Sequence, residues 1–248
     1  MSRFAHAVLV LALFGLGCGG AHAGALQVTP LGVRLSDQHP IATLRVRNVD
    51  DHVVIMQADV FAWTQPDGKD VYAATNEVVV IPPIFSLASG AQQLLRVGLP
   101  EAMPLSEVER AFRVFLRELQ PINGQREGHL NLALRIGLPI FVQPPGAAPA
   151  GKLLWRLVGA ERAPSALRVS NRSAEHVKIT AVRFLSRDGS LAEEVRMLRY
   201  CLPGADATID LPALKSAEHV SEIQVIFKSG DHSKTENIAM TDGSLAAR

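Results

Sequence analysis

Apolar and polar residues alternate in short runs along most of this chain, and one run is unusually long. Residues 130–142 read LNLALRIGLPIFV, placing Leu130, Leu132, Leu134, Ile136, Leu138, Ile140 and Val142 at every second position. Period-two alternation predicts a β-strand with one apolar face. At about 3.3 Å per residue the run would extend roughly 43 Å, more than twice the usual strand length. A bare apolar edge of that length invites aggregation, so it must be guarded or used. Shorter strand runs precede it: ATLRVRN (42–48), VVIMQADVFAW (53–63), NEVVVIPP (76–83), QQLLRVGL (92–99) and RAFRVFLREL (110–119). A turn at Pro66–Gly68 separates two of them. Pro82 and Pro83 belong at a strand end or edge, because neither donates to a ladder. Many short alternating runs with turns between them predict an all-β protein.

The second half repeats the scheme. LRVSN (167–171) echoes LRVRN (44–48), and each is followed by a polar turn with a histidine, His176 or His52, before the next strand run. Between the halves lies QPPGAAPAG (143–151), which reads as a semi-rigid linker. The expected architecture is two immunoglobulin-like β-sandwich domains in tandem, forming a bent, L-shaped molecule. Their bounds are 24–145 and 146–248, after a segment 1–23 of different character.

That first segment has a basic start at Arg3, an apolar core from Val8 to Leu16 and a small-residue site at Ala21–Ala23. It reads as a secretory signal peptide cleaved after Ala23. A lipoprotein signal ending at Cys18 is the rival reading, but Gly15 stands where a leucine is expected. Arg3 is the sole charged residue removed, so 24 basic residues face 24 acidic ones in the remainder. This balance argues against nucleic acid or an anionic surface as the main partner. No later run is apolar enough to span a membrane.

Candidate chemistry is scarce. Cys201 is the only cysteine after residue 23, which excludes a disulfide framework and a thiolate metal site. It reads as a buried, inert thiol. No glycine-flanked nucleophilic serine, phosphate-cradling loop or zinc-binding His-Glu helix is present. The histidines read as solvated turn residues, including His232 in GDHS (230–233), whose neighbours in sequence do not make a triad. Glu193 and Glu194 suit an exposed turn, and Trp63 and Trp155 read as core residues. The chain is expected to be no enzyme and to need no cofactor or metal.

Five segments in order resemble the periplasmic pilus or fimbrial chaperones of the chaperone–usher pathway, the PapD-like superfamily. They are LRVRN with Trp63, FAWTQPDGKDVY, IPPIFSLASGAQQLLRVGLP, ERAFRVFLREL and LALRIGLPIFVQP. The wording of VFAWTQPDG and GLPIFV resembles the archaic branch. The resemblance implies a periplasmic protein that binds pilin subunits by donor-strand complementation and delivers them to an outer-membrane usher, in fimbrium biogenesis and cell wall organization. It implies that Leu130, Leu132, Leu134 and Ile136 form the donor strand. It also implies a basic pair for the client's terminal carboxylate, but the matching positions hold Gly32 and Pro139. Arg113 is the candidate replacement, set on the opposite face from Phe112 and Val114, and Arg135 and Arg34 are weaker candidates. Arg96 and Glu118 sit in family-like segments and fit an ion pair or exposed charges. Glu109 matches an acid of an interdomain charge cluster, but its usual arginine partner falls on Gln143.

Three other readings stay open on sequence alone. A secreted two-domain adhesin or binding module would use loops at one sandwich end. A pilin would be one incomplete domain with a donor extension near its N-terminus. A periplasmic enzyme is the third.

Overall fold

The computed structural model describes residues 26–100, 106–119, 134–146, 151–160, 163–212, 220–230 and 232–239. The signal-peptide reading and the donor-strand positions Leu130 and Leu132 lie outside the described residues.

Among the described residues, seventeen strands fall into two groups. In the first, β1 (Leu26–Thr29), β3 (Ile41–Asn48), β8 (Gln92–Gly98) and β6 (Val79–Ile81) form one sheet in that order. Facing it is a sheet ordered β2 (Val33–Leu35), β10 (Arg135–Val142), β9 (Arg110–Glu118), β4 (Val54–Thr64) and β5 (Val71–Ala74), with β7 (Ile84–Leu87) also on β4. Pro82 and Pro83 fall between β6 and β7, outside any ladder, as the missing donors require. In the second group β11 (Leu153–Ala160), β12 (Ala163–Asn171) and β15 (Asp206–Asp210) make one sheet. The other is ordered β14 (Leu191–Cys201), β13 (Val177–Ser186), β16 (Val220–Ser229) and β17 (His232–Ala239). Among the described residues no helix is long and apolar enough to cross a membrane.

The alternation in sequence becomes the two faces of each strand. In β3, Leu44 and Val46 are fully buried while Arg45 and Arg47 face water. In β9 and β10, Phe112, Val114, Leu116, Leu138, Ile140 and Val142 enter the first core, with Ile136 packed at its margin. Each fully buried side chain of this size contributes about 1.5–3 kcal/mol.

The repeat proves to be physical. Asn48 and Asn171 end equivalent strands and are both fully buried. Asn48 Nδ2 donates to the carbonyls of His52 (2.7 Å) and Leu87 (3.1 Å), and its Oδ1 accepts from Asp50 N (2.9 Å). Asn171 Nδ2 donates to Glu175 and Cys201 carbonyls, both at 2.9 Å, and its Oδ1 accepts from Ser173 N at 2.9 Å. Each amide thus closes the following turn and ties it to a distant strand. Only a side chain carrying both a donor and an acceptor does both.

Candidate functional site

Strand β10 is central over part of its length only. It pairs antiparallel with β9 from Arg135↔Arg117 to Val142↔Arg110. On its other side β2 runs parallel and covers only Ile140–Val142. Among the described residues no strand pairs with Arg135–Pro139 on that side.

The hydrogen-bond phase says which groups face this open edge. Glu118 N donates to Leu134 O at 2.9 Å, so Leu134 and Glu118 form a hydrogen-bonded pair. Antiparallel pairs alternate, so Ile136, Leu138 and Ile140 also bond to β9. The amides of Arg135 and Gly137, and the carbonyls of Arg135, Gly137 and Pro139, therefore point to the open side. Proline at 139 takes no donor away from β9, which is how a proline fits inside this strand. Of the four expected donor positions, Leu134 is half-buried and Ile136 half-buried against the domain's own core.

The odd-numbered side chains of β9 and β10 leave the face opposite the first core, and Ala111, Pro139 and Phe141 among them border clefts shared with Leu202, His176 and Tyr200 of the second group. Arg113 lies there, opposite Phe112 and Val114 as its position implies, and directly across from Pro139. Its guanidinium carbon is 4.3 Å from the centre of the Trp63 ring, and Nη1 donates to the Tyr72 hydroxyl at 2.9 Å. Its Nε is buried without a partner. Arg135 lies 3.9 Å over the Phe115 ring, a cation–π contact. Between them, Gly137 leaves room for Phe115, since a Cβ would stand 2.9 Å from Phe115 Cε1. Gly32 and Pro139, the positions the family count singles out, touch: a Gly32 Cβ would be 3.2 Å from Pro139 Cγ.

The far wall of the cleft is joined to the near one by a buried elbow. Trp63, Ala111, Phe141 and Leu202 form a third apolar cluster, with Tyr72, Tyr200 and Ala205 packed on it. Trp63 is thus buried, as expected, but between the domains rather than inside one. Gln65 Nε2 donates to Tyr200 O (3.1 Å) while its Oε1 accepts from Leu202 N (2.8 Å). Arg199 Nη2 donates to Gly68 O at 2.7 Å. Gly68 has φ +72°, and a Cβ there would stand 2.9 Å from Asp206 O, so glycine is required on both counts.

Glu109 does reach the second domain, through a partner the sequence reading missed. Its Oε1 accepts from His176 N at 3.0 Å and lies 2.6 Å from His176 Nδ1. Both side chains are buried, and Phe141 stacks on the imidazole at 3.6 Å, 8° from parallel. The expectation that His176 is a solvated turn residue is therefore corrected. The turn is pressed into the elbow, where a carboxylate, a backbone amide and an aromatic ring all meet it. Cys201 is fully buried, and burial pushes its thiol up to about 11.

No curated protein matches the chain in sequence. Solved structures match its fold over most of its length. One is the CsuC–CsuE chaperone–tip adhesion subunit pre-assembly complex from archaic chaperone–usher Csu pili of Acinetobacter baumannii. It is 16% identical, with 86% of this chain and 97% of that chain covered and a TM-score of 0.65. A second is the Salmonella enterica SafA pilin in complex with the SafB chaperone, 21% identical, with coverage of 88% and 98% and a TM-score of 0.62. A third is the Pseudomonas aeruginosa CupB2 chaperone, 18% identical, with coverage of 85% and 98% and a TM-score of 0.57. Residues 25–148, which hold β1 to β10 and the whole of the open edge, match the family described as pili and flagellar-assembly chaperone, PapD N-terminal domain, and the chain belongs to that family.

Proposed function

We propose that this protein is a periplasmic chaperone that binds pilus subunits by lending them the open edge of β10, and hands them to an outer-membrane usher. The observation that carries the reading is the half-covered strand: β2 stops at Ile140, and the amides of Arg135 and Gly137 face outward beside it. A subunit strand added there would bond to main-chain groups, which gives affinity without choosing among sequences. In this reading the side chains of Leu130, Leu132, Leu134 and Ile136 would enter the subunit's groove. Three such leucine-sized groups could supply about 1.5–3 kcal/mol each, before ordering costs. No cofactor and no catalytic step are needed, because transfer to a better-fitting strand runs downhill.

Family membership and the complexes of related fold with a tip adhesion subunit and with a pilin support this reading. So does the wording of VFAWTQPDG and GLPIFV, which we assign to the archaic branch. Arg113 and Arg135 supply positive charge on the first domain's side of the cleft, where a subunit's carboxylate would lie. Residues 1–23 are the export signal in this account, with domains at 24–145 and 146–248. Periplasmic extraction and N-terminal sequencing test the export step, which predicts a chain starting at Gly24.

The decisive variant is Leu132→Ser with Leu134→Ser. It should leave a folded protein whose co-expressed subunits are degraded or aggregate. Normal recovery of subunits with both changes in place would refute the donor-strand role.

A further inference from the structure

Gly137 stands at the middle of the open edge, between Arg135 and Pro139, and it is exposed. Its amide and carbonyl both face outward, so an added strand bonds to it directly. What lies over it is a ring from the next strand. Phe115 is the β9 partner of Gly137, and a Cβ on Gly137 would stand 2.9 Å from Phe115 Cε1 and 3.2 Å from Cδ1. The ring thus leans from β9 across β10 through the space that a side chain would fill. Glycine inside a strand permits this close approach, and an aromatic ring laid over it covers the bare backbone.

The ring is held on its other sides. The Arg135 guanidinium carbon lies 3.9 Å from its centre. Tyr72 meets it at 5.2 Å and 88°, and Phe61 at 5.8 Å and 66°, both edge to face. Arg113 Cδ would be 3.4 Å from the same Cβ, which closes the side toward Pro139. Phe115 is nevertheless only half-buried. Adjacent strands lie about 4.8 Å apart, and side chains of lateral neighbours leave the same face of the sheet. A client strand on this edge therefore sets one residue beside Gly137 with its side chain on the Phe115 face, whichever way the strand runs. Gly137 offers no side chain to keep the two apart. The immediate neighbours of that client residue point to the opposite face, so it is read apart from the contacts in the subunit's groove.

We infer that Phe115, uncovered by Gly137, is a specificity subsite of the open edge, and that it selects an aromatic side chain at the client residue beside Gly137. The inference rests on the donor-edge reading above and adds which part of the docked strand is recognised. Cε1 and Cδ1 belong to one edge of the ring, and a ring edge is positively polarised. An aromatic face set against that edge makes a T-shaped pair, as Tyr72 and Phe61 already do. The exposed Arg135 guanidinium beside it also favours a π face. A client carboxylate would be drawn to Arg135 but pressed on an apolar ring, and a client lysine would be repelled.

The test uses fluorescent ten-residue peptides of alternating valine and threonine, with one central threonine kept or replaced by phenylalanine, leucine or glutamate. The parent should bind the phenylalanine form about tenfold tighter than the threonine form, and tighter than the leucine and glutamate forms. Phe115→Leu should erase the preference for phenylalanine over leucine, while Phe115→Tyr keeps it. Circular dichroism checks that both variants are folded. An NMR readout needs no variant: in the parent complex, nuclear Overhauser contacts should join the peptide's phenylalanine ring to the Phe115 ring and to Gly137 Hα. Equal binding of the phenylalanine and leucine forms by the parent would overturn the subsite. So would tightest binding of the glutamate form, a preference that survives Phe115→Leu, or ring contacts elsewhere. Each of these leaves the donor edge standing, whereas binding of no peptide at all would overturn the donor-edge reading and this inference with it.

Discussion

Replacing His176 by alanine should loosen the joint between the two domains. His176 Nδ1 lies 2.6 Å from Glu109 Oε1, and a carboxylate oxygen only accepts, so Nδ1–H donates. A hydrogen bond to a charged group contributes about 1.5–3 kcal/mol, and the parallel stack on Phe141 about 0.5–1.5 kcal/mol more. The backbone bond from residue 176 to Glu109 is independent of the side chain and persists. His176→Ala should therefore cost roughly 2–4 kcal/mol, a large share of the roughly 5–15 kcal/mol typical of a folded protein. His176→Phe separates the two contributions, because it keeps the ring over Phe141 and loses the donor. Urea unfolding followed by tryptophan fluorescence reads both, since Trp63 lies in the elbow and Trp155 in the second core. The Trp63 transition should move to lower urea while the Trp155 transition, isolated in a Trp63→Phe background, moves less. A change below about 0.5 kcal/mol in His176→Ala, with both transitions still coincident, would refute the elbow as a stabilising joint.

Gly137→Ala should cost about 1–3 kcal/mol, because its Cβ would stand 2.9 Å from a Phe115 ring already held under Arg135; thermal unfolding checks it, and an unchanged melting temperature would show the ring free to move. Cys201 should not react with a thiol reagent until the protein unfolds, since it is fully buried. Its folded value of about 11 against the ordinary 9.0 means that folding favours the protonated thiol. That contribution is complete below about pH 9 and is lost as pH rises towards 11, amounting to about 3 kcal/mol. Burial raises Tyr72 and Tyr200 as well, so the parent should weaken steadily in alkali and Cys201→Ala less steeply. Identical alkaline slopes for the two proteins would contradict this.

The features legible in the sequence were local ones. Leu44 and Val46 alternate with Arg45 and Arg47, so their faces followed from strand periodicity alone. Arg113 could be set on the cleft face because Phe112 and Val114 had to be inside. The resemblance to the family, not any local pattern, set Gly32 and Pro139 at the positions of its basic pair, and in the fold a Cβ on Gly32 would stand 3.2 Å from Pro139 Cγ. The Asn48 and Asn171 repeat was visible as letters, although the double role of each amide was not. The joint was hidden, because its pairs are far apart in sequence: Glu109 with His176, Gln65 with Leu202, Arg199 with Gly68. A histidine before a strand carries no mark of the carboxylate that will meet it. The open edge itself follows from where β2 stops, and a three-residue strand leaves too short a pattern to read.

Amide hydrogen exchange along β10, measured by NMR with and without a bound pilus subunit, tests the central claim most directly. In the free protein Ile136 and Leu138 should be protected by β9, whereas Arg135 and Gly137 exchange rapidly. On binding, Arg135 and Gly137 should become protected and their neighbours change little. Arg135 and Gly137 already protected in the free protein, or left unprotected in the complex, would contradict the account.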